Sequence, residues 1–75
     1  MDYVGPEYNY KIEYNYTNSD GCCVSETDVI EAPSAGDAVR MLRMRNEKHN
    51  NLQIQDVWKE SRDSWDRVHR DWWDD

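Results

Sequence analysis

Seventy-five residues make one small domain, which buries only about 60% of the surface its unfolded chain exposes and has no room for a deep enzyme cleft. The formal net charge of −7 favours basic partners and disfavours non-specific binding to nucleic acid or anionic membrane. No apolar run approaches the ~20 residues that span a bilayer and no charged-then-apolar leader is present, so a soluble, cytoplasmic protein is expected.

Met1 to Glu7, with Gly5-Pro6, reads as a loose arm that delivers the chain to its first element. From Tyr8 to Thr17, even positions are Tyr8, Tyr10, Ile12, Tyr14 and Tyr16, while odd positions are Asn9, Lys11, Glu13, Asn15 and Thr17. This alternation predicts a β-strand with one aromatic face. That face needs cover, because a lone hairpin is marginal in water and buried tyrosine hydroxyls need partners. Thr17-Asn18-Ser19-Asp20-Gly21 is a turn cluster in which Asp20-Gly21 can supply the positive φ angles of a hairpin reversal.

A second strand follows from Cys22 to Ala32. Val24, Ile30 and Ala32 share its inner face, and Glu26 and Asp28 would face inward between them. A bulge or frayed stretch over Glu26 to Asp28 is therefore expected. Pro33 ends the strand, Ser34 caps the next element, and Asp37 completes a near capping box and suits the positive end of the helix dipole. A helix is predicted from Ala35 to Lys48, its inner stripe formed by Ala35, Ala38, Val39, Leu42 and either Met41 or the stem of Arg45. It would lie across three strands and cover the tyrosines, or the opposite face if the tyrosines are left for a partner.

His49-Asn50-Asn51 stops the helix, and Leu52 to Trp58 resumes a strand pattern with a phase slip before Val57. The crossover allows this third strand to run parallel to the first, with the tyrosine strand central. Beyond it, Trp65, Val68, His69 and Trp72 recur at helical spacing, and Asp63 to Arg67 and Asp66 to Arg70 are acid-before-base pairs at i, i+4. These predict a C-terminal amphipathic helix over 62–73 that needs a surface to dock on. The expected architecture is α+β: a three-stranded sheet in ββαβ order with one packed helix over 1–59, and a helical tail over 60–75.

Catalytic and metal chemistry find little support. Cys22-Cys23 with His49 and His69 offers four nitrogen or sulfur ligands, but at spacings that fit no zinc pattern, and neighbours on a strand point to opposite faces. The adjacent cysteines also cannot form a stapling framework, which agrees with a reducing compartment. Nucleophile elbow, glycine-rich phosphate loop and histidine-led metal motif are all missing. The protein is expected not to be an enzyme and to need no cofactor.

Charge and aromatic excess point instead to binding. Residues 1–39 hold eight acids against one base, 40–49 four bases against one acid, and 50–75 seven acids against four bases. The acids Glu13, Glu26, Asp28 and Glu31 form one candidate contact set. Arg40 and Arg43 could anchor an acidic patch on a partner, since arginine pairs bidentately with carboxylates; helix-dipole compensation explains the same basic block. Trp65, Trp72 and Trp73 are candidate interface anchors, as tryptophan dominates binding hot spots, while Trp58 and Trp65 could equally complete a core without phenylalanine.

With the order strand, strand, capped helix, strand in hand, and Ile30-Glu31-Ala32-Pro33-Ser34-Ala35-Gly36-Asp37-Ala38-Val39 at the strand-to-helix junction, residues 8–59 resemble the small T7-type, phage-encoded inhibitors of bacterial RNA polymerase. The resemblance lies in length and element order and implies a host-takeover protein that docks on the polymerase through an exposed sheet edge and charged residues. Asp56 and Trp58 stand where that family carries arginines on its last strand, so no binding residue is carried over. Acidic anti-restriction and anti-CRISPR proteins, whose acids imitate DNA phosphates, compare equally well in size and charge.

Two functional expectations follow. The first is a small acidic protein that binds and inhibits a host protein complex, such as bacterial RNA polymerase or another nucleic-acid-handling machine, in the host cytoplasm and in some cases by DNA mimicry. The alternative is a nucleic-acid-binding module using Tyr8, Tyr10, Tyr14 and the arginine helix as stacking and phosphate contacts. A homodimer formed by exchanging tail helices is a third possibility.

Overall fold

In the computed structural model, residues 7–73 are described. Most of the expected N-terminal arm and the last two residues lie outside them. Strands β1 (Tyr8–Thr17), β2 (Cys23–Ala32), β3 (Asn50–Ser61) and β4 (Ser64–Arg67) form one sheet in the order β2-β1-β3-β4, with helix α1 (Ala35–Arg45) between β2 and β3. A short 3-10 turn, Arg70–Trp72, closes the described chain. Every strand pair is antiparallel.

The α+β class stands, but the three-stranded ββαβ sheet with a C-terminal helix is corrected on two points. The third strand runs antiparallel to the first: the β2–α1–β3 crossover steps over β1, so β3 is parallel to β2 and opposed to the strand between them. The expected tail helix is instead the end of β3, a reversal at Arg62-Asp63, strand β4 and the 3-10 turn. Trp65, Val68, His69 and Trp72 do sit at helical spacing. Twelve residues make a marginal helix in water, however, whereas β4 gains a ladder of four residue pairs on the free edge of β3. Neither expected i, i+4 ion pair forms; Arg67 reaches Asp56 on β3 instead, at 2.6 and 3.0 Å. Exchange of tail helices has no helix to exchange.

The β1–β2 reversal is organised by Asn18, whose side-chain oxygen accepts from the amides of Asp20 and Cys22, both at 2.9 Å. Gly21 alone in this turn takes a positive φ, +83°. From there β2 pairs with β1 over ten consecutive residues without a shift, so the bulge expected at Glu26 to Asp28 is absent. Tyrosine accounts for this. Tyr14 donates its hydroxyl to Asp28 at 2.8 Å and Tyr16 to Glu26 at 3.0 Å, each reaching diagonally to the neighbouring strand. Inward-facing acids are thereby satisfied at the rim of the core.

Helix α1 begins as its sequence indicates. The Ser34 hydroxyl accepts from the Asp37 amide at 3.2 Å and donates to the Asp37 carboxylate at 3.1 Å. It ends three residues earlier than expected, because Asn46 turns back and donates its side-chain amide to the Leu42 carbonyl at 2.8 Å. Ala35, Ala38, Val39 and Leu42 are buried against Tyr10, Ile12, Tyr14, Ile30, Ala32, Ile54 and Val57. The phase slip before Val57 is a register shift that leaves Gln55 unmatched and keeps both Ile54 and Val57 on the covered face. Trp73 comes back from the C-terminal segment to complete this core. No helix among the described residues is long and apolar enough to cross a membrane.

Candidate protein-interaction surface

The same alternation that buries the even residues of β1 sends its odd residues to the opposite face, and α1, the one α-helix among the described residues, lies on the even side. No element among the described residues covers the odd face. In register there stand Asn9, Lys11, Glu13, Asn15 and Thr17 of β1, Cys23, Ser25, Thr27, Val29 and Glu31 of β2, Asp56, Trp58 and Glu60 of β3, and Trp65 and Arg67 of β4.

Its centre is an aromatic–cation stack. The Lys11 ammonium lies 5.0 Å from the ring centroid of Trp58 and 5.0 Å from that of Trp65, within the reach of cation–π attraction. Both indoles remain half-exposed. Asn9 ties the end of this row to Glu60 by a 3.0 Å hydrogen bond, and the Arg67–Asp56 pair ties the other side. Four acids, Glu13, Glu31, Asp56 and Glu60, surround the stack against two bases, and one of those bases is already paired. Val29, 54% exposed, adds an apolar spot towards the β2 edge. An apolar aromatic centre fixed on strands and framed by acids is suited to a flat basic protein surface: indoles supply contact area, and the acids set sign and orientation.

The structure gathers Glu13, Glu31 and Trp65 of the sequence-derived candidates on this face and places the others elsewhere. Glu26 and Asp28 lie on the helix side of β2, engaged by tyrosine hydroxyls. Arg40 and Arg43 are exposed on α1, with Arg40 3.5 Å from Asp37. Trp72 is 78% exposed, whereas Trp73 is a core residue only 7% exposed and cannot serve as an anchor in this arrangement. Lys11 and Trp58 were missed as site residues. The signal was present in the wet phase of β1: a lysine central among polar residues, opposite a strand that carries tryptophan in the matching phase, marks an outer face.

Protonation at the covered face follows from its packing. Burial, then the hydrogen bond to Asp28, pushes the Tyr14 phenol well above its ordinary range. Tyr16 is raised first by its bond to Glu26, and Tyr10 first by burial. Cys22 and Cys23 are both exposed and free. His49 stacks on Tyr16 with ring centroids 3.8 Å apart, while His69 accepts a hydrogen bond from the Asp71 amide in the C-terminal segment. Among the described residues no three His, Cys, Asp or Glu side chains converge as a metal site would require.

Comparison of this chain with protein-family models, with curated proteins and with solved structures returns no match.

Proposed function

We propose that this chain is a small acidic interaction protein that binds a protein complex in the cytoplasm and inhibits it, with the uncovered sheet face as its contact surface. The observation that carries this reading is the Trp58–Lys11–Trp65 stack, held on three strands and left half-exposed in an acidic frame. Rigid indoles at the centre of a patch are the usual hot spots of protein recognition. The partner that fits is a basic protein surface, such as one that otherwise holds nucleic acid; bacterial RNA polymerase is the candidate that the likeness in element order implies. Occupying such a surface with acids would block it, which is how binding becomes inhibition.

The nucleic-acid alternative is weaker, because Tyr10 and Tyr14 lie beneath α1, 4% and 2% exposed, and offer no stacking platform. The test is capture from a bacterial lysate and from purified RNA polymerase, comparing the natural chain with the Trp58→Ala/Trp65→Ala double variant, followed by transcription assays. Selective retention that the double variant loses by about tenfold or more supports the surface. Equal retention of every protein by both chains removes it, and steeply salt-dependent binding to oligonucleotides would favour the alternative.

A further inference from the structure

On the helix side of the sheet, α1 leaves one end open. A groove of about 480 Å³ lies between the first turn of α1 and the C-terminal segment, lined among others by Tyr8, Tyr10, Pro33, Lys59, Asp66 and Trp72. Its walls are aromatic. Tyr8 and Tyr10 meet edge to face at 6.4 Å, and Trp72 stands 78% exposed across from them.

Two features restrict what could fill it. First, apart from the Asp66 carboxylate, which faces Lys59 across the β3–β4 ladder, the free groups of its aromatic walls can all donate. Among the described residues only the Tyr14 and Tyr16 hydroxyls find a partner, so those of Tyr8 and Tyr10 are uncommitted, as is the Trp72 indole N–H. Tyr10 is only 4% exposed, which leaves the groove as the place where its hydroxyl can meet an acceptor. Second, the groove is locally balanced in a chain of net charge −7. Lys59 faces Asp66 across the β3–β4 ladder, with its ammonium 3.8 Å over the Tyr8 ring, and His69 sits 3.5 Å from Asp71. Arg67, also in the lining, is paired with Asp56, so among the described residues no surplus cation is left there to hold a phosphate polymer.

A ligand that suits these walls is extended, uncharged, apolar and rich in acceptors. A proline-rich segment has these properties: its polyproline II backbone presents unengaged carbonyls, proline lacks an N–H, and its rings pack on aromatic ridges at low entropic cost. We propose that this groove binds a proline-rich segment of a partner protein, with Tyr8 and Trp72 packing on its rings and the Tyr8 and Tyr10 hydroxyls and the Trp72 indole N–H donating to its carbonyls. The site lies on the face opposite the Trp58–Trp65 surface and does not depend on it.

The test is titration of a capped proline decamer into the full chain, followed by amide chemical shifts and tryptophan fluorescence, with a glycine–serine decamer as control. Saturable shifts centred on Tyr8, Tyr10, Lys59 and Trp72 are expected. Trp72→Ala, at an exposed position that folding tolerates, should weaken binding about tenfold or more, and Tyr10→Phe should weaken it several-fold. Trp58→Ala should bind the decamer as the natural chain does, which separates this site from the opposite face. Absence of saturable shifts at millimolar peptide, an equal response to the glycine–serine control, or unchanged affinity in Trp72→Ala would overturn the proposal.

Discussion

Replacing Tyr14 by phenylalanine removes one hydroxyl from a residue 2% exposed and leaves Asp28, its 2.8 Å acceptor, half-buried without that donor. A hydrogen bond to a charged group contributes about 1.5–3 kcal/mol, and water reaching the half-buried carboxylate replaces part of it. The expected loss is about 1–2 kcal/mol, which for a domain of this size lowers Tm by roughly 5–15 °C. Urea denaturation should show a lower midpoint with unchanged slope. A double-mutant cycle with Asp28→Ala should return a coupling of about 1–2 kcal/mol, whereas Tyr16→Phe, at the exposed rim, should cost less. The alkaline limb gives a second readout. The Tyr14 phenol is raised on folding, so its contribution is complete below the unfolded value of about 10 and is lost as pH climbs towards the folded one. Stability should therefore hold up to about pH 10 and fall above it, with a shallower fall in Tyr14→Phe. Wild-type stability in Tyr14→Phe, or strict additivity with Asp28→Ala, would refute the account of how β2 stays regular through its acids.

Leu42→Ala, at a fully enclosed position under α1, should cost about 2–5 kcal/mol, enough to abolish cooperative unfolding at a modest starting stability; calorimetry checks this. The two described glycines should respond in opposite directions. Gly21→Ala, at φ +83°, should destabilise by about 1 kcal/mol, whereas Gly36→Ala should stabilise by up to about 0.5–1 kcal/mol, since its new methyl meets only ordinary contact with the Trp72 carbonyl at 3.7 Å; paired urea curves decide. Truncation after Ser61 removes β4 and Trp73 and opens the β3 edge, so the fragment should lose cooperative folding and aggregate. A fragment that melts cooperatively as a monomer would show that the C-terminal segment is dispensable.

Local signals were legible where one residue type leaves little choice. Strict alternation from Tyr8 to Thr17 determined β1 and both its faces, Ser34 with Asp37 determined where α1 begins, and the broken phase before Val57 announced the register shift at Gln55. Three matters were decided by tertiary structure. Asp28 and Glu26 read as faults in a strand, because the reach of the Tyr14 and Tyr16 hydroxyls to a neighbouring strand is not a local property. Trp65, Val68, His69 and Trp72 fall at helical spacing; a free β3 edge offering ladder hydrogen bonds nevertheless made Ser64–Arg67 a strand, and the return of Trp73 to the core then separated it from its exposed neighbour Trp72. The candidate surface belongs to the same class: Lys11, Trp58 and Trp65 come from three strands, and only their order in the sheet brings a lone lysine between two indoles. Periodicity tells which residues share a face, whereas the pairing of strands far apart in sequence decides which faces meet and which one is left open.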